Sequence, residues 1–266
     1  MQHLFQSWES LLPDISAASH VLLLSDYDGT LTPIVSRPED AILSPEVREK
    51  LRALTDKPAF SVGIISGRSL SEVKAMVKVA GIYYAGNHGL EIDGPGFQYV
   101  NSAAQIARAQ IKDLARQLSA RLGSIEGAII EDKGLTLSVH YRLVKRSEEE
   151  TVANIFNQIT SSWLNDGKIR VTSGKKVWEI RPPIEWHKGK AVEVITENVT
   201  GVLGGKAVLT IYLGDDTTDE DAFRIIHHPQ GWSIFIGQEN SSSNADYFLN
   251  STPEVVTLLS RLLELK

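Results

Sequence analysis

The sequence predicts an α/β fold in which a parallel sheet is interrupted by an α+β insert. Three observations carry that expectation. First, short and almost continuous apolar runs ("HVLLLS", "FSVGII", "AVLTIYLG", "GWSIFIG") read as strands buried on both faces, the signature of a parallel sheet covered by helices. Second, segments with helical periodicity alternate with these runs, the order of a βαβ chain. Third, the pattern changes over roughly residues 102 to 181, where long amphipathic helices accompany a strand of strict apolar–polar alternation.

Taken in order, "HVLLLSDYD" is a buried strand ending in carboxylates. "SPEVREKLRALT" is a helix with Ser44 as N-cap and Pro45 at its first position. "FSVGIISGR" is a second buried strand, ending at Ser66, and "SLSEVKAMVKVA" a second helix with Ser69 near its cap. "GIYYAGNHGLEI" supplies a third strand and a glycine-rich loop, after which the insert begins. Its first helix carries Ile111, Leu114, Leu118 and Leu122 on one face. In "LTLSVHYR", Leu135, Leu137, Val139 and Tyr141 alternate with Thr136, Ser138, His140 and Arg142, which predicts a half-exposed strand of a one-sided sheet. A second stripe runs through Val152, Ile155, Phe156, Ile159 and Trp163, and "KIRVTSGKKVWEIRP" reads as a hairpin turning at Ser173–Gly174. The βα pattern then resumes: a helix from Lys188, the strand "AVLTIYLGDD", a helix, the strand "GWSIFIG", the polar loop "QENSSSNAD" and a closing helix "TPEVVTLLSRLLEL".

Composition bounds the partners. The 266 residues are 42% hydrophobic and 23% charged, enough for one large domain or two unequal ones. A formal net charge of −6 and the absence of a long Lys/Arg run argue against nucleic acid. No cysteine is present, which excludes disulfides and thiolate metal sites and suits the cytosol. The first twenty residues lack the basic and apolar regions of a leader, and no apolar run approaches membrane length.

The chemistry lies at the strand ends. Ligands of open parallel sheets bind beyond the carboxyl ends of the strands. Here those ends carry Asp26 and Asp28, Ser66, the Asn87–His88 loop, and Asp215 and Asp216. Carboxylates gathered in one crevice raise each other's pKa unless a cation is present. Oxygen ligands without a His or Cys cluster suit Mg²⁺, which commonly binds together with a phosphate. A phosphate would find backbone N–H groups around Gly29 and Thr30, the Ser66 hydroxyl and Lys188. An aspartate beside a metal and a phosphoryl group can attack it and form an aspartyl-phosphate.

"DYDGT", "IISGR", "HKGKAV" and "GDDTTDEDAF" resemble, in order, the motifs of the haloacid dehalogenase superfamily. With "GNHGLE", "EDKGLTLSVHYR" and "KVWEIRPP", the chain is similar from about Leu22 to Phe223 to the trehalose-6-phosphate phosphatases. The resemblance implies a Rossmann-like catalytic core over 1–101 and 182–266 with a specificity cap over 102–181. It implies that Asp26 is the nucleophile and a Mg²⁺ ligand. Asp28 is implied as general acid, then base, lending its backbone carbonyl to the metal. Asp215 and Asp216 are further implied metal residues, with Asp219 acting nearby. Ser66, Gly67 and Lys188 would hold phosphate, and Glu131, Lys133 and Glu179 the sugar. The implied partner is a small sugar phosphate, and a cytoplasmic monomer is expected. Sucrose 6-phosphate, a glycosyl-3-phosphoglycerate and a non-catalytic sensor role are the alternatives; a sensor usually loses a nucleophile or metal carboxylate, and none is missing. His187 stands where the family pattern favours a residue such as asparagine. The resemblance leaves the roles of His88, His140, Arg142 and Asp219 open.

Overall fold

The computed structural model describes every residue except Ser36, Asn240, Ser241 and Lys266. The chain divides into two compact units, Met1–Tyr99 with Trp186–Lys266, and Val100–Glu185. In chain order the elements are β1 (Gln2–His3), α1 (Trp8–Ala17), β2 (His20–Ser25), α2 (Pro45–Thr55), β3 (Phe60–Ile65), α3 (Leu70–Val77), β4 (Tyr83–Gly86), β5 (Glu91–Gly94) and β6 (Phe97–Val100). Then come α4 (Ser102–Leu122), β7 (Ile129–Asp132), β8 (Leu137–His140), α5 (Glu149–Asn165), β9 (Arg170–Gly174) and β10 (Val177–Arg181). The last are α6 (Lys188–Val202), β11 (Val208–Gly214), α7 (Glu220–Phe223), β12 (Gly231–Ile236), β13 (Tyr247–Leu249) and α8 (Thr252–Glu264).

The first unit is built on one sheet of order β1-β13-β12-β11-β2-β3-β4-β5-β6. Pairing is parallel from β1 through β4, and β5 adds antiparallel to β4. Side chains alternate between two apolar layers because a strand's successive residues face opposite ways. Val21, Leu23, Val62, Ile64, Ile211 and Leu213 pack with α1, α2, α3 and α8. Leu22, Leu24, Ala85 and Tyr212 pack with α6 and α7. This double cover explains why the central strands read as unbroken apolar runs. Helix starts follow the sequence signals: Ser44 Oγ accepts from Val47 N at 3.2 Å, and Ser69 Oγ from Glu72 N at 3.3 Å.

Two features of the first unit depart from the sequence expectation. Two short strands, β5 and β6, stand between the third strand of the core and the insert. The amino-terminal α1 and the edge strands β1 and β13 are additional. Pro13 inside α1 and the brevity of both strands (two and three residues) hide them from periodicity. Residues 240 and 241 of the expected polar loop lie outside the described residues.

The second unit is a four-stranded sheet, β7-β8-β10-β9, packed against α4 and α5. Ile111, Leu114, Leu118 and Leu122 are buried with Leu137, Val139, Val152, Phe156 and Ile180. The hairpin turns at Lys175–Lys176 rather than at Ser173–Gly174: Gly174 pairs with Val177, and Lys176 takes the positive φ of 63°. The polar side of β8 is covered over its first half only: Thr136 and Ser138 are buried, whereas His140 is partly exposed and Arg142, just past the strand, is exposed. Ser138 is flanked in register by the longer Glu131 on β7 and Glu179 on β10. Removing packed methyl groups from this core leaves a cavity. Leu118→Ala is therefore expected to lower the stability of the chain by about 2–5 kcal/mol in urea denaturation. Ser119→Ala, one residue on and exposed, should stay within about 0.5 kcal/mol.

Candidate active site

Four parallel strands, β11, β2, β3 and β4, end at one edge of the sheet, and their loops hold the polar residues. Asp26 follows β2 directly; its N–H donates to Leu213 O at 2.8 Å, which ties it to the end of β11. Lys188, the first residue of α6, is buried, and its Nζ donates to Asp26 Oδ1 at 2.6 Å and to Asp219 Oδ1 at 2.7 Å. Asp219 is fully buried and accepts three further hydrogen bonds: from the Tyr212 hydroxyl at 2.6 Å, and from Asp215 N and Asp216 N at 3.1 Å each. Burial alone would lower the Lys188 pKa, but Asp219 and Asp26 outweigh it and keep the ammonium protonated. Burial pushes Asp26 well above the usual carboxylate value, against the pull of Lys188 and with the repulsion of Asp219 and Asp215. Asp215 is pushed up to about 7 by burial, then by Asp219 and Asp216.

Asp26, Asp215 and Asp219 each offer an oxygen within 4.8 Å of the others. Asp219 thus stands in the carboxylate group, while Asp216 turns away. Its Oδ1 accepts from Thr218 N and Oγ1, both at 2.7 Å. Against the desolvation of its crowded loop, Lys188 and those Thr218 bonds hold Asp216, a solvent-exposed residue, below the usual range. An all-oxygen set whose members raise one another's pKa fits a hard divalent cation. Gly29 shapes the same place. With φ of +85°, it lies so near Asp215 that a Cβ there would fall 2.1 Å from Asp215 Oδ2.

Asp28 is held by a residue that the sequence reading did not single out. Arg68 Nε and Nη2 donate to its two oxygens at 2.8 and 2.7 Å, a bidentate grip. Arg68 is itself fixed by Glu72 Oε1 and Pro38 O, each at 2.8 Å. The Asp28 side chain stays 42% exposed. The signal was present as the arginine of "IISGR". Ser66 is buried, and its Oγ accepts from Arg68 N at 3.2 Å; the cap of the following helix is Ser69 instead. Gly67 lies against the His88 ring, where a Cβ would come within 2.9 Å. His88 organises the loop: its N–H donates to Ser66 O at 2.8 Å, and its carbonyl accepts from Trp186 Nε1 at 3.2 Å. The Gly29 N–H, expected to face a phosphate, instead donates to Thr32 O at 2.8 Å.

In the second unit, Lys133 Nζ stands 3.9 Å from Glu131 Oε2 and 4.0 Å from Glu179 Oε1. His140 Nε2 lies 2.8 Å from Glu131 Oε2, and Arg181 Nε donates to Glu179 Oε2 at 2.8 Å. Arg142 donates to Lys175 O at 3.1 Å, joining the end of β8 to the hairpin turn.

A covered parallel sheet with paired aspartates after one strand, a buried lysine opening a helix and a carboxylate cluster after another strand define a phosphatase of the haloacid dehalogenase fold. A solved haloacid dehalogenase-like hydrolase from Bacteroides thetaiotaomicron shares that fold at a TM-score of 0.61 and 15% identity, over 91% of this chain and 99% of the other. The chain belongs to the trehalose-phosphatase family, whose model matches residues 24–253. It is 37% identical over 265 residues to a probable trehalose-phosphate phosphatase D of Arabidopsis thaliana, covering 96% of this chain and 70% of that one. The solved C-terminal domain of the C. albicans trehalose-6-phosphate phosphatase is similar at a TM-score of 0.76 and 25% identity, with 97% of both chains covered.

The raised Asp215 pKa has a measurable consequence. A carboxyl whose folded-state pKa exceeds its unfolded value binds a proton on folding, so stability is lost as pH rises through about 7. Asp215→Asn removes that charge. At pH 8 the metal-free variant is expected to melt at a higher temperature than the metal-free wild type. Adding a divalent metal should raise the Tm of the wild type only. A variant that melts lower without metal, or gains as much with it, takes Asp215 out of the cation site.

Proposed function

We propose that this chain hydrolyses trehalose 6-phosphate to trehalose and inorganic phosphate, and that its carboxylate cluster holds Mg²⁺. The observation that carries the proposal is the buried Asp26 carboxylate, aimed by Lys188 at 2.6 Å and flanked by Asp215 and Asp219. The other Asp26 oxygen attacks phosphorus, an acyl phosphate forms, and the bond from phosphorus to the sugar oxygen breaks. Asp28 delivers the proton that the leaving alkoxide needs. It then takes one from the water that attacks phosphorus in the second step, which frees the Asp26 carboxylate and inorganic phosphate. Arg68 holds Asp28 as the carboxylate that the second transfer needs and leaves it open to solvent; to carry the proton of the first transfer, Asp28 gives up one of its two bonds to Arg68. Ser66, Gly67 and Lys188 bind the phosphoryl oxygens. Asp26, the Asp28 carbonyl and Asp215 are the residues to hold Mg²⁺. Asp216 joins them only if its carboxylate leaves Thr218. When bound, the ion supplies positive charge against the phosphoryl oxygens.

Glu131, Lys133 and Glu179 are assigned to the sugar. Carboxylates accept and an ammonium donates, which is the mixture that a disaccharide's hydroxyls require. The family and the similar proteins support trehalose 6-phosphate over other glycosyl phosphates. No missing carboxylate favours a non-catalytic role. A cytosolic location, suggested by the cysteine-free sequence, and a monomeric state belong to the same proposal.

Phosphate release with added Mg²⁺ tests the reading, using trehalose 6-phosphate, sucrose 6-phosphate and p-nitrophenyl phosphate. Trehalose 6-phosphate should give the highest kcat/KM. Asp26→Asn, nearly isosteric and a poor nucleophile, should abolish turnover of all three, and activity surviving in pure variant protein would rule out covalent catalysis by Asp26. Glu131→Ala, Lys133→Ala and Glu179→Ala should each lose roughly 10- to 150-fold in kcat/KM on trehalose 6-phosphate, the worth of a charge-assisted hydrogen bond. They should lose little on p-nitrophenyl phosphate. An unchanged ratio between those two substrates in all three variants removes these residues from sugar recognition.

A further inference from the structure

Tyr212 is a buried phenol that the reaction scheme above does not use. It lies on β11 between Leu24 of β2 and Ser233 of β12. Its ring is 0% exposed, packs edge-on against Phe223 at 5.8 Å, and sits among Leu22, Leu24, Val192 and Ile195. Phenylalanine would fill that space without burying a hydroxyl, and a hydroxyl in such surroundings costs free energy unless it is hydrogen-bonded. The hydroxyl donates to Asp219 Oδ1 at 2.6 Å, the same oxygen that accepts from Lys188 Nζ at 2.7 Å.

That shared oxygen is the point of the arrangement. A carboxylate oxygen has two lone pairs in its plane. Tyr212, fixed by the strand and by Phe223, occupies one and leaves the other to Lys188. The second Asp219 oxygen is held by Asp215 N and Asp216 N, so the carboxylate cannot rotate to offer a different edge. The direction in which the ammonium points, toward Asp26 Oδ1, is therefore set from behind by the phenol. Tyr212 also draws charge from Asp219, which weakens that residue's hold on Lys188 relative to Asp26 and the phosphoryl group.

We propose that Tyr212 is a positioning residue, which acts through Asp219 to aim Lys188 at the nucleophile and the transferring phosphoryl group. The proposal rests on the assignment of Asp26 as nucleophile. Without the hydroxyl, Asp219 keeps three donors and the fold is kept, but Lys188 shares its charge less evenly. Partners that orient the side chains of a metal site from one bond away are commonly worth on the order of 10- to 100-fold in activity, and Tyr212 stands in that relation to Asp219 of the carboxylate group.

The test is Tyr212→Phe in the full chain with Mg²⁺, its activity normalised to the folded fraction read by circular dichroism. The expected result is a kcat lower by roughly 10- to 100-fold. The loss should be equal on trehalose 6-phosphate and p-nitrophenyl phosphate, because Lys188 acts on the phosphoryl group common to both, and KM for the sugar phosphate should move little. Tyr212→Leu should lose at least as much. A double-mutant cycle with Asp219→Asn should show that Tyr212→Phe adds little once Asp219 is altered. The proposal is overturned if Tyr212→Phe keeps kcat within about twofold of wild type while Tyr212→Leu alone loses activity, since packing then accounts for the residue. Fully multiplicative losses in the cycle would overturn it too. Asp26→Asn, assayed alongside, separates the two claims. An inactive Asp26→Asn beside an unaffected Tyr212→Phe sinks only this inference, whereas an active Asp26→Asn sinks the covalent scheme beneath it.

Discussion

The buried ammonium of Lys188 is the constraint around which the first unit is organised. A charge taken out of water is tolerated only when partners surround it, and two carboxylates do so here. Those partners come from the end of β2 and the loop after β11, while the lysine opens α6. One side chain thus fixes three segments that are distant in sequence. The arrangement does not balance, because three carboxylates meet one cation. Asp215, whose pKa is pushed up to about 7 by burial and then by its carboxylate neighbours, lies against the bare backbone of Gly29. The pull on a divalent cation follows from that excess, and glycine at position 29 follows from the space the carboxylate takes up.

Asp26 and Asp28, one residue apart, are held by different cations, and the difference suits different chemistry. A lysine grips by one point and can be shared, which fits a site where the same charge must serve a carboxylate and then a phosphoryl group. An arginine grips a carboxylate by two parallel bonds and fixes its plane. Arg68 does this to Asp28, and its own orientation is locked by Glu72 and Pro38. Between the two aspartates, Tyr27 is buried with its hydroxyl bonded to Ala41 O at 2.7 Å, so the chain cannot twist to exchange them. One carboxylate is consequently dry and one is wet, as nucleophilic attack and proton transfer respectively demand.

How far the sequence could be read follows from where the information is local. Strands covered on both faces and helices begun by serine caps are signalled by adjacent residues, and the core elements stand where those signals put them. The acidic strand ends were legible because a polar pair closing an apolar run is itself a local anomaly. Tyr212 carried no such signal, and Arg68 stood in a visible motif without showing its role, since their meaning depends on partners 7 and 40 residues away that only the fold brings near. Asp219 was ambiguous among five acidic residues in "DDTTDEDAF" until its burial and its donors separated it from Asp216. The hairpin turn was misplaced because Ser-Gly is the commoner turn pair, whereas strand register here put the positive φ on Lys176.

The second unit repeats the motif of a lysine between two carboxylates with a different spacing, and register explains how. Glu131, Ser138 and Glu179 form one row across β7, β8 and β10, so the two glutamates start about two strand spacings apart, roughly 9–10 Å. The small Ser138 between them leaves room for their side chains to lean inward, and Lys133, from the turn after β7, reaches both at about 4 Å. In the first unit the lysine–carboxylate distances are 2.6 and 2.7 Å, with every group buried. A closed cluster of that kind suits a ligand that brings its own charge, since it stabilises or displaces charge strongly. A looser cluster on a sheet face, braced by His140 and Arg181, suits a neutral ligand rich in hydroxyls. Such a ligand gains from many directed hydrogen bonds and little from net charge. A phosphorylated sugar carries both kinds of group, and the chemistry of each cluster, taken by itself, matches one of them.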